Sequence, residues 1–163
     1  MIKGLILEGS VLLRGSRQIQ DNGFTKFNNN LPTLTLCGEL DGLLRLTRCV
    51  ESYWHQNENI DATQKDLFPV MGLKGVSHWR FSSGKLPSNV LNNDLKPEIE
   101  EAEAHSQIAI ATIGFFAKVL GNNRAQSIMS QVNTVDLKPL LEAMKLENSY
   151  YFKDPCNSQT LIN

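Results

Sequence analysis

Between residues 60 and 90 the chain sets four cations, Lys65, Lys74, Arg80 and Lys85, against two carboxylates, Asp61 and Asp66. That local excess of +2 stands among Gln64, Ser77 and His78, so amides, hydroxyls and cations are offered together. Donors of these kinds pair with phosphate oxygens and with acceptors on base edges. Other chemistries find less. His55, His78 and His105 are isolated along the chain, and none belongs to a His-Glu-x-x-His pattern, so each reads as a satisfied or exposed ring. Ser82-Ser83-Gly84-Lys85 lacks the upstream glycine of a phosphate loop. The carboxylates from Glu98 to Glu103 fit the positive end of a helix dipole. Cys37, Cys49 and Cys156 are odd in number and have no zinc-site spacing, which points to reduced thiols; Cys37 and Cys49, beside apolar residues, read as buried. No catalytic residue, cofactor or metal is expected from local motifs, and spacing alone leaves open a site assembled from distant residues.

Thr63-Gln64, Leu67, Gly72-Leu73 and Gly84-Lys85 with Pro87 form an arrangement that resembles the lambda-repressor-like helix-turn-helix family, over residues 63–87 only. The resemblance implies a first helix crossing the DNA backbone and a second lying in the major groove. It further implies that Gln64 meets a phosphate, that Lys74, Ser77 and His78 face the groove, and that Arg80 and Lys85 contact the backbone. The alternative for the same segment is a short helix capped by Thr63, with Trp79 and Phe81 as core aromatics.

The elements around this segment follow from periodicity. Residues 1–37 hold short apolar runs broken by glycine and asparagine and read as strands, with Asp21-Asn22-Gly23 as the best hairpin turn. From Glu39 the spacing of Leu40, Leu43, Leu44, Thr47, Val50 and Trp54 predicts an amphipathic helix through about Gln56. Its polar face carries Arg45, Arg48, Ser52 and His55. A second helix starts near Asp61 or Thr63, with Pro69 ending or kinking it. After an irregular connector at 82–93, Asn93 or Asp94 caps a long helix with Pro97 in its first turn, apolar through Leu120 and ended by Gly121-Asn122. A shorter helix covers 124–132, Thr134 caps a last one, and 153–163 form a tail. The expected fold is α+β: a small N-terminal antiparallel β-sheet (1–37) followed by a bundle of four or five helices (38–152), in one compact domain.

Composition agrees with a globular chain. Apolar residues make 41% and charged residues 20% of 163, enough for a core. Net charge is −1, so no global field announces nucleic acid or membrane. The longest apolar stretch, Ile108 to Leu120, is 13 residues and includes Lys118, too short to cross a bilayer, and Glu8 interrupts the N-terminal apolar run. A cytoplasmic placement is expected, and the helix-turn-helix resemblance implies a small sequence-specific DNA-binding regulator of the phage or mobile-element kind, acting as a homodimer on duplex DNA. Its rival is a non-enzymatic interaction module that binds a protein through apolar helices or a sheet edge.

Overall fold

A computed structural model describes residues 1–10, 31–58 and 60–144. Three strands form its sheet: β1 (Leu5–Glu8), β2 (Thr33–Gly38) and β3 (Val70–Leu73), in that order and parallel throughout. The helices are α1 (Leu46–Glu58), α2 (Ser88–Asn93), α3 (Glu101–Val119), α4 (Ala125–Met129) and α5 (138–144), with 3-10 turns at Lys65–Leu67 and His78–Phe81.

The parallel sheet corrects the antiparallel one expected from the sequence. All six residues of β2 are buried. A strand buried on both faces is what a parallel sheet requires, because its crossovers lay helices over the faces. The chain between β2 and β3 passes through α1, long enough for such a crossover, so no tight turn joins them. Short apolar runs bounded by turn residues look alike in the two cases. The predicted Asp21-Asn22-Gly23 hairpin, Cys156 and the 153–163 tail lie outside the described residues. The third strand also comes from the part of the chain assigned to helices.

Period-two alternation sorts the side chains of the sheet. Leu34 and Leu36 of β2, with Ile6 of β1 and Met71 and Leu73 of β3, meet Ala104, Ile108, Ala111 and Phe115 of α3. The opposite face turns to α1, where Cys37 pairs with Cys49 and Leu46 packs near Gly72. The predicted long helix is α3, but it begins at Glu101 rather than at Pro97. Its end is as expected: Gly121 has φ +74°, its amide bonds Lys118 O at 2.9 Å, and Asn122 N bonds Ala117 O at 2.8 Å. These two bonds satisfy the carbonyls that a helix end leaves over. The free edge of β3 is closed by the segment after α4, through Lys74 N to Asn133 O (3.1 Å), Val135 N to Gly72 O (2.8 Å) and a bridge from Leu73 to Thr134. Thr134 thus serves the sheet instead of capping the last helix. Among the described residues no helix is long and apolar enough to cross a membrane.

Candidate functional site

The three strands end side by side, and the loops that leave them are stitched together. Past the end of β2, Glu39 N donates to Leu73 O at 3.0 Å and Leu40 N to Val76 O at 2.9 Å, which prolongs the ladder between β2 and the loop after β3. The glutamate side chain adds a third tie, its Oε2 accepting from Gly75 N at 2.8 Å. Gly38 permits this approach: a Cβ there would lie 2.5 Å from Val76 O. In open parallel sheets the carboxyl ends of strands are where loops converge to bind and react.

On the first of these loops Asp41 is 3% exposed. Its Oδ1 accepts the amides of Leu43 (2.9 Å) and Leu44 (2.6 Å), and its Oδ2 lies 2.8 Å from Nδ1 of His78, which opens the turn after β3. An ionised carboxylate only accepts, so the contact assigns the donor role to Nδ1 and turns Nε2 to the far side of the ring. The burial is unequal, with side-chain exposure of 1% for Asp41 and 34% for His78. One partner is fixed in the protein and the other reaches solvent. The end of β1 abuts the same ring: Gly9, at φ +51°, has no Cβ, and one would stand 2.8 Å from Phe81 Cδ2 and 3.4 Å from His78 Nδ1.

A second carboxylate lies beneath the pair. Asp94, which follows α2, accepts from Gly42 N, His78 N and Trp79 N. Burial pushes its carboxyl upward, but the amides of Gly42, Trp79 and His78 and the adjacent Ser77 hydroxyl outweigh that and hold it below the ordinary aspartate value. Cys37, at the end of β2, goes the other way. Its hydrogen bond with the free Cys49 thiol, then burial, then the proximity of Cys49 and Asp41 drive the thiol upward, which favours its neutral form. Among the described residues no group of three or more His, Cys, Asp or Glu could hold a metal ion. A groove of about 490 Å³ lined by Tyr53, Val70, Met71, Val135 and Leu141, among others, lies by the edge of β3, and neither Asp41 nor His78 lines it.

The residues named from the sequence are dispersed. Residues 63–87 form a 3-10 turn, a strand and a second 3-10 turn, where the family resemblance required two helices. Pro69 precedes β3 and its carbonyl accepts Thr35 N at 3.0 Å, so the segment's backbone bonds go to the sheet. Gln64 is exposed ahead of the first turn, and Lys74 and Lys85 are exposed on separate loops. Ser77 is fully buried; its Oγ lies near enough to the Asp94 carboxylate to lower it but meets no partner in full hydrogen-bond geometry. Arg80 is 9% exposed, with Nε donating to Ile99 O at 3.0 Å. His78 alone of the six combines access with a chemical partner. Thr63 caps no helix; its amide and hydroxyl both turn back to Asp61.

Sequence reading placed Asp41 inside a helix. The chain from Glu39 to Arg45 is instead a loop, because Asp41 draws the next amides onto its own carboxylate, and α1 starts at Leu46. A usable signal was present in Asp41-Gly42 and in His78, each a few residues beyond a run of strand-like residues. No family model, no curated protein and no solved structure matches this chain.

Proposed function

We propose that Asp41 and His78 form the acid–base pair of a hydrolytic site, acting on an ester or related acyl substrate. The observation that carries this reading is the 2.8 Å contact from a buried carboxylate to Nδ1 of a solvent-reaching imidazole at the carboxyl ends of parallel strands. Asp41 holds the ring in one tautomer and orientation and stabilises the imidazolium when it forms. Nε2 of His78 then takes the proton from an attacking hydroxyl or water and returns it to the leaving group. The acid precedes the histidine along the chain, on loops after successive strands, which is the order found in hydrolases built on parallel sheets. This reading is preferred to the regulator because Ser77 and Arg80 are turned inward and residues 74–81, where the recognition helix would lie, form a turn and a 3-10 turn after β3.

The test is hydrolysis of p-nitrophenyl esters of graded acyl length by the native chain and by His78→Gln and Asp41→Asn. A histidine-dependent rate that both variants lower by about 10²-fold or more supports the reading. Rates equal in all three proteins, or DNA binding that weakens steeply with salt and depends on Lys74 and Lys85, would overturn it.

A further inference from the structure

We infer that Asp94 is a positioning residue which locks the Asp41 loop and the His78 loop into one geometry. The inference rests on the hydrolytic reading of the pair and extends it to a third carboxylate.

The turn His78–Phe81 opens with amides that have no partner inside it, and Ser77, at its cap position, supplies no side-chain bond. Asp94 fills that place from elsewhere in the chain. Its Oδ1 accepts the amide of His78 itself at 3.2 Å, and its Oδ2 accepts that of Trp79 at 2.8 Å. The same Oδ1 accepts Gly42 N at 2.9 Å, the residue next to Asp41, and Leu95 N at 3.0 Å. One carboxylate therefore grips the backbone on both sides of the Asp41–His78 contact. Gly42 makes that grip possible, since a Cβ there would collide with the Asn93 carbonyl oxygen and stand 2.9 Å from Asp94 Cα. Asp94 is anchored in turn by its own amide, which donates to Val90 O of α2 at 3.0 Å.

Four amide bonds onto one side chain do more than a helix cap requires, and three of them come from the two loops whose relative position sets a hydrogen bond. Displacement of a catalytic pair by about 1 Å can cost on the order of 10²-fold in rate. In Asp94→Asn the remaining oxygen keeps either the Oδ1 set, Gly42 N, His78 N and Leu95 N, or the Oδ2 bond to Trp79 N, and the new NH2 faces a backbone N–H, so the His78 turn loses at least one of its two bonds while the side chain keeps its size.

The test compares Asp94→Asn with Asp41→Asn and the native chain, well below the melting temperature. Two readouts are used: kcat and KM on the best p-nitrophenyl ester, and the 15N shifts of His78 in histidine-labelled protein. The expected result for Asp94→Asn is a kcat lowered about tenfold or more, KM within about twofold, and a His78 ring that leaves its single Nδ1-protonated tautomer. A folded Asp94→Asn with native kcat and native His78 shifts overturns the inference while leaving the pair intact. If Asp41→Asn also leaves kcat and those shifts unchanged, the hydrolytic reading falls, and this inference with it. Should Asp94→Asn fold poorly, Asp94→Glu, which keeps the charge but moves it by one methylene, is judged by the same two readouts.

Discussion

Asp41 and His78 stand 37 residues apart in the chain and 2.8 Å apart in the fold. The contact exists because β2 and β3 are neighbours in register, with Gly38 opposite Leu73, so the loops that leave them start side by side.

Asp41→Asn should fold and yet misdirect the histidine. The variant's amide oxygen can still accept Leu43 N and Leu44 N, but its NH2 then faces Nδ1 and favours the tautomer with the proton on Nε2. A loss of about 10³- to 10⁴-fold in kcat with a near-native melting temperature is expected, and kinetics beside calorimetry checks it.

Acid should weaken the hold of Asp94. Its folded carboxyl lies below the unfolded value of about 3.9, so the stabilisation is fully present above that pH and disappears as pH falls through the folded value. The native chain is then more stable to urea than Asp94→Asn at pH 7, and the gap narrows below about pH 4.

Gly42→Ala should cost about 1–3 kcal/mol of stability, since the added methyl meets backbone atoms of Asn93 and Asp94, which yield poorly. Gly84, at φ +92° with open space around it, provides the contrast: its alanine variant pays only the backbone strain, about 1–2 kcal/mol, and leaves ester hydrolysis unchanged. Urea midpoints and esterase rates for the two variants separate crowding at the site from strain away from it.

Cys37 and Cys49 should resist alkylation in the folded protein and react once it is unfolded, because both are buried and Cys37 remains a protonated thiol. Peptide mapping after iodoacetamide, with and without denaturant, distinguishes them from Cys156; labelling of Cys37 under native conditions would contradict its placement.

Local signals were read well where a local bond made the structure. Gly121-Asn122 ends α3 through two amide bonds within one turn, and the apolar spacing of Ile108 and Phe115 puts both in the core. Signals failed where a distant group took over. Asp94 looked like the cap of the long helix, since its side chain can satisfy nearby amides. In the fold those amides belong to Gly42, His78 and Trp79, and Pro97 lies outside α3. Likewise the spacing around Leu40 and Leu43 suited a helix face, until Asp41 bound the amides of Leu43 and Leu44.

From composition and order of residues one could conclude that the chain mixes strands with helices, carries a real core and holds no local catalytic motif. Whether the strands ran parallel, and whether a lone histidine had a partner, depended on pairing across residues 39–69. Hydrophobic periodicity reports which face of an element is buried but not which other element covers it. A site made by two loops at the ends of adjacent strands therefore left its residue types in the sequence and its geometry to the sheet.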